Sequence, residues 1–130
     1  LSSCKVMNLS KEDYVKKYYD YHVQQEKVTG CIDLRDLNTD YATGHIKGFI
    51  NYNYSNGNED EFKYFVSSLY NKSTYIFLID SNGEYVVHAA KVLKQEGYKH
   101  IIIYQHGYND LIGYAQNYLQ IVEGIDDCGC

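Results

Sequence analysis

The stretch from Tyr75 to Gly97 constrains the fold more than any other part of the chain. Five consecutive apolar residues, Tyr75 to Ile79, suit a strand covered on both faces, as strands inside a parallel sheet are. The pattern then switches to helical spacing, with Val86, Ala89, Ala90, Leu93 and Gly97 on one face. Between the two lies a short turn, Asp80-Ser81-Asn82-Gly83-Glu84-Tyr85. Such a turn leaves its backbone N–H groups converging beside the positive end of the helix dipole, an arrangement that suits an anion. Residue types alone offer three readings of it. Asp80, Ser81 or Asn82 can cap the first helical turn. A calcium loop would use Asp80, Asn82 and Glu84, but Tyr85 stands where that loop needs Gly and Lys91 where it needs Glu, which rules the reading out. The third is a site loop at the carboxyl end of a strand, where open α/β sheets place their ligands.

The rest of the chain supplies more units of the same kind. Lys5 to Leu9 makes a short edge strand, and Ser10-Lys11-Glu12-Asp13 has capping-box spacing, which predicts a helix from Lys11 to about His22. Thr29 to Leu34 reads as a central strand that buries Cys31, and Asn38 or Thr39 as the cap of a short helix ended by Gly44-His45-Ile46-Lys47-Gly48. Phe49 to Tyr54 alternates like a strand, and Asn56, Gly57 and Asn58 form a loop. An amphipathic helix from Glu59 to Tyr70 places Phe62, Phe65, Val66 and Leu69 on one face. Ile101 to Tyr104 is a further buried strand, His106-Gly107 a turn, and Asn109 to Ile121 a last helix. Strands alternating with helices imply right-handed crossovers and a parallel sheet.

At 130 residues this is one domain, 1–130, able to bury about 65 to 70% of its unfolded surface. A net charge of -5 and lysines scattered singly or in pairs leave no basic run along the sequence to follow a phosphate backbone, so no nucleic-acid partner is expected. No apolar segment reaches transmembrane length. The chain has 16 Tyr, no Trp and no Pro, and tyrosines spread over the whole length read as a compositional habit rather than a binding face.

With both halves in view, the chain resembles the rhodanese domain family. Ile32-Asp33-Leu34-Arg35, followed by Tyr41-Ala42-x-Gly44-His45-Ile46-x-Gly48-x-Ile50-Asn51, is similar to the family's Asp-x-Arg and Gly-His-Ile-x-Gly-Ala-x-Asn signature. The strand, six-residue loop and helix ending Leu93-x-x-Glu96-Gly97-Tyr98 correspond to its active-site unit. Ile103-Tyr104-x-His106-Gly107-Tyr108 resembles its turn before the last helix. The resemblance implies an α/β fold with a five-stranded parallel sheet flanked by helices on both faces. It also implies a loop of the form Cys-x-x-Gly-x-Arg, whose Cys takes a sulfane sulfur from a donor and passes it to a nucleophile, as a thiolate stabilised by N–H groups and the loop Arg. Here Gly83 is kept, while Asp80 stands at the Cys position and Tyr85 at the Arg position. Asp33 and Arg35 carry over as support of the loop, Arg35 in a structural role, and His45 likewise.

A carboxylate cannot carry a persulfide. Asp80 is instead expected to supply the negative charge the loop cradles, so that no bound sulfate or phosphate is needed to order it. The chain is accordingly read as a catalytically inactive binding or regulatory module whose partner is an unknown protein or a small anionic ligand. The alternatives are a sulfurtransferase or sulfur carrier using another Cys, and a phosphatase-like enzyme using Asp80 as nucleophile. No cofactor or metal is expected, since His45, His88 and His106 lack ligand spacing. Cys128 and Cys130, in an acidic tail spanning 122–130, are expected to be exposed thiols. Leu1-Ser2-Ser3-Cys4 has the pattern of a lipobox, which makes Cys4 a lipidation candidate and predicts an extracytoplasmic, membrane-anchored bacterial lipoprotein; a cytoplasmic protein is the alternative.

Overall fold

The computed structural model describes residues 4–55 and 58–125. Expectations that fall on Leu1, Ser2, Ser3, Asn56, Gly57, Cys128 and Cys130 lie outside the described residues. The elements are β1 (Lys5–Asn8), α1 (Lys11–Tyr18), β2 (Thr29–Asp33), β3 (His45–Ile46), β4 (Ile50–Asn51), α2 (Glu59–Leu69), β5 (Tyr75–Ile79), α3 (Glu84–Gln95), β6 (His100–Ile103), α4 (Tyr108–Ala115) and β7 (Ile121–Val122). Five strands form one parallel sheet in the order β1-β6-β5-β2-β4, as the alternation of strands and helices predicts.

Side chains alternate across the sheet, which explains why its central strands are apolar without a break. Ile32, Ile76, Leu78, Ile101 and Ile103 face α2 and α3, where they meet Phe62, Val66, Val86, Ala89, Ala90 and Leu93. Cys31, Phe77, Ile79 and Ile102 face the other way, toward Tyr14, Val15 and Tyr18 of α1 and Leu111 and Ala115 of α4. The buried tyrosines are not merely apolar filler. Tyr14 Oη donates to the carbonyl of Leu78 at 2.8 Å, Tyr41 Oη to Phe49 at 2.5 Å and Tyr98 Oη to Tyr70 at 3.1 Å, each reaching a segment built elsewhere in the chain.

Several boundaries differ from the sequence reading. Helix α1 begins as expected, with Ser10 Oγ accepting the N–H of Asp13 at 3.1 Å, but from Tyr19 to Val23 it widens into a π-turn. The last helix stops at Ala115 instead of reaching Ile121, because Ile121 and Val122 pair antiparallel with Ile46 and His45. Only Ile50 and Asn51 of the expected strand 49–54 form a strand, although the N–H groups of Tyr52 and Tyr54 still bond the carbonyls of Asp33 and Leu34 at 3.0 and 3.2 Å. Asp36, not Asn38 or Thr39, is the capping side chain of its turn; its carboxylate accepts the N–H groups of Asn38 and Thr39 and the Thr39 hydroxyl. Leu69 is 52% exposed, beyond the edge of the apolar face of α2. Gly97 is not on the packed face of α3. It follows the C-cap at φ 93°, with Tyr98 N–H bonded to Leu93 O and Gly97 N–H to Lys94 O, a Schellman stop in which the left-handed residue is naturally Gly.

Tyr14→Phe is expected to lower stability by about 1 kcal/mol, because the Leu78 carbonyl loses a buried donor. Urea denaturation would measure it; an unchanged midpoint would mean that the hydroxyl contributes nothing there.

Candidate functional site

The loop 80–85 lies where β5 ends and α3 begins, at the carboxyl edge of the sheet. Asp80, 2% exposed, turns its carboxylate back into the loop. Oδ1 accepts the N–H of Gly83 at 2.6 Å, and Oδ2 accepts those of Tyr85 at 2.7 Å and Val86 at 2.9 Å. These are orphan donors of the first turn of α3, converging as a strand-to-helix turn makes them converge. Asn82 Oδ1 takes a fourth, the N–H of Glu84, at 3.0 Å. The capping and site-loop readings of the turn are thus one arrangement, in which the side chain of Asp80 occupies the cradle.

The loop is held from behind by the turn after β6. Gly83 sits at φ 90° against the carbonyl of Gln105, and Gly107 at φ 89° against Ser81 and Asn82; a Cβ at either position would overlap that backbone. Tyr108 N–H donates to the backbone carbonyl of Asp80 at 2.7 Å. Tyr108 also lies under Arg35, whose guanidinium carbon is 3.6 Å from the ring centroid.

Arg35 is bonded on both sides of its guanidinium's Nε–Nη2 edge. Its Nε and Nη2 donate to Asp33 Oδ1 and Oδ2 at 2.9 and 2.8 Å, and Nη2 also donates to the Gly44 carbonyl at 2.7 Å. Burial pushes the Asp33 carboxyl up, and the guanidinium and the backbone N–H of Arg35 pull against that shift. Asn51 Nδ2 bonds the carbonyls of Asp33 and Arg35, closing the loop after β2. His45 is buried, stacked on Tyr41 at 3.6 Å and bonded through Nδ1 to its carbonyl at 2.8 Å, a structural position.

Tyr85 packs edge-on to Tyr54 at 5.9 Å, and Tyr54 Oη meets His88 Nδ1 at 2.6 Å. Tyr85 is therefore held in an aromatic contact beside the loop. Ser81, Asn82 and Glu84 are exposed around it, as are His88, on the solvent side of α3, and His106. Cys31 is 1% exposed, and burial pushes its thiol well above the usual range. That is the opposite of what a sulfur carrier needs. Among the described residues no group of three or more His, Cys, Asp or Glu could hold a metal, and no helix is long and apolar enough to cross a membrane.

Sequence reasoning brought Asp33, Arg35, Asp80 and Gly83 into one neighbourhood but missed what joins them. Tyr108 is the link, with its ring on Arg35 and its N–H on Asp80. Its signal was its place directly after the His106-Gly107 turn.

Comparisons with known proteins identify the family. The family model of the rhodanese-like domain matches residues 15–113, and the chain belongs to that family. Among solved structures it is similar to the Alr3790 protein of Anabaena sp., with 21% identity and a TM-score of 0.67 over 87% of this chain and 81% of that one. It is similar to SSP1007 of Staphylococcus saprophyticus, with 16% identity and a TM-score of 0.61 over 88% of this chain and 98% of that one. A structure described as rhodanese with anions, from E. coli, matches with 20% identity and a TM-score of 0.55 over 75% of this chain and all, 100%, of that one. No curated protein sequence matches the chain.

Asp80→Ala removes the acceptor of three N–H groups and is expected to cost about 2–4 kcal/mol. Sulfate should then enter the vacated cradle and raise the melting temperature of the variant by several degrees more than that of the unaltered chain. Equal effects of sulfate on both would show that the carboxylate does not fill an anion site.

Proposed function

We propose that this chain is a rhodanese-like module that does not transfer sulfur and works by binding, its loop 80–85 serving as a rigid recognition element. The observation that carries the reading is the three N–H groups of the cradle bonded to Asp80's own carboxylate. A persulfide requires a thiol at that position, and a small anionic donor requires free donors and a nearby cation. Asp80 removes the first two, and Arg35 is committed to Asp33, Gly44 and Tyr108. The same bonds argue against Asp80 as a nucleophile toward phosphate, since both of its oxygens are occupied and no free cation of the loop draws an anion in. The partner favoured by these features is a protein segment that reads the exposed Ser81, Asn82 and Glu84.

The unaltered chain is expected to form thiocyanate from thiosulfate and cyanide no faster than a protein-free blank. Turnover above the blank that disappears in Asp80→Ala would overturn the proposal. The double change Asp80→Cys with Tyr85→Arg, made with Cys4, Cys128 and Cys130 changed to Ser, should place a thiol among the converging donors. Its pKa is expected to fall about one unit or more below the usual 8.5, read as alkylation rate against pH. A thiol titrating at or above that value would mean that the donors converge only on a carboxylate.

A further inference from the structure

The helices run antiparallel to the strands, and their charges follow their dipoles. The first turns carry Glu12 and Asp13 in α1, Glu59, Asp60 and Glu61 in α2, Glu84 in α3 and Asp110 in α4. All of these lie at the carboxyl end of the sheet. The last turns of α1 and α3 carry Lys16, Lys17 and Lys94 at the opposite end, the amino end of the strands. A chain of net charge -5 is thereby split into an acidic end around the loop 80–85 and a basic end remote from it.

The lysines of the basic end are contiguous in space, although scattered in sequence. Lys5 N–H bonds the carbonyl of Lys99 at 3.0 Å, and Lys99 N–H bonds that of Lys72 at 3.0 Å. His100 stacks on Tyr75 at 4.0 Å, and the Tyr75 N–H bonds the carbonyl of Val28 at 3.0 Å. Lys27 Nζ lies 5.5 Å from the Tyr75 ring and 5.9 Å from the Tyr21 ring, which Lys17 Nζ covers from 4.5 Å. Lys5, Lys27, Lys72 and Lys99 are exposed, and Val28 is 75% exposed beside them. Desolvation, followed by the charges of Lys99, Lys27 and Lys5, holds His100 below its ordinary pKa, in keeping with a local positive field. Asp20, Glu26 and Glu96 are carboxylates at this end; Asp20 is paired with Lys16 at 2.9 Å and Glu96 with Lys63 at 3.7 Å.

We propose that this basic end is a docking surface for an anionic lipid bilayer. Flexible lysines interleaved with tyrosine rings and an exposed valine suit a headgroup layer, which asks for point charges and shallow apolar contact. Directional reading of nucleic acid or of a phosphorylated segment favours the Arg fork, and the single Arg of the chain is buried at the opposite end. Cys4 directly precedes Lys5, so the residue marked by the lipobox pattern stands at the same end. Docked this way, the domain turns its loop 80–85 away from the bilayer. The surface is independent of any chemistry at Asp80.

The test is sedimentation of the unlipidated 130-residue chain with vesicles of phosphatidylglycerol and phosphatidylcholine in about equal amounts, and with phosphatidylcholine alone. Binding to the anionic vesicles only, lost at high salt, is expected. Lys27→Gln and Lys99→Gln should each weaken it about fivefold. Lys11→Gln, at the acidic end beside Asp110, should leave it unchanged. Circular dichroism of each variant separates lost charge from lost fold. The proposal is overturned by absent or equal binding to the two vesicle types, or by a Lys11→Gln effect as large as the others. Tighter capture by double-stranded DNA or polyglutamate at matched charge would likewise overturn lipid as the occupant.

Discussion

A strand that runs straight into a helix in a parallel sheet leaves backbone donors pointing at one spot, and something has to accept them. In this chain the acceptor is Asp80. Much of the surrounding construction serves to keep that acceptor in place. Gly83 and Gly107 let the turn after β6 come within backbone contact of the loop, and Tyr108 anchors the loop's first carbonyl. The Asp33–Arg35 pair stacks on Tyr108 and ties the loop after β2 to the same point. Donors that converge at the end of β5 are here satisfied from within the chain, which ties the loop to its own side chain.

The layered fold and the main site residues were legible because both rest on local patterns. The Tyr75 to Ile79 run, followed by Val86, Ala89, Ala90 and Leu93, changes period within a few residues, and only a strand-turn-helix unit explains that. What stayed hidden depends on contacts far apart in sequence or on pieces too short to have a period. Two-residue ladders such as Ile121–Val122 on His45–Ile46 carry no alternation to detect. Tyr108 could be numbered but not assigned, because its stacking partner is far upstream, on the other side of β5. Leu69 shows the converse, a helical position with the right spacing that simply lies past the edge of the layer.

The charge polarity illustrates the same limit. Acids early and lysines late in a helix are ordinary dipole partners when each helix is read by itself. They become two opposed ends of a molecule only when all the helices are known to run against the strands. A low net charge per sequence segment then coexists with strong local fields.

The hydroxyls of Tyr14, Tyr41 and Tyr98, each bonded to a backbone carbonyl of another segment, give the Tyr-rich composition a further meaning. A phenyl ring in the same place would be as greasy but indifferent to a shift of its neighbours. A phenol that must find one particular oxygen is not indifferent, because a shifted register leaves both groups without a partner in a dry interior. Tyrosine in this core acts as an address as well as ballast, and it narrows the set of packings the chain can adopt.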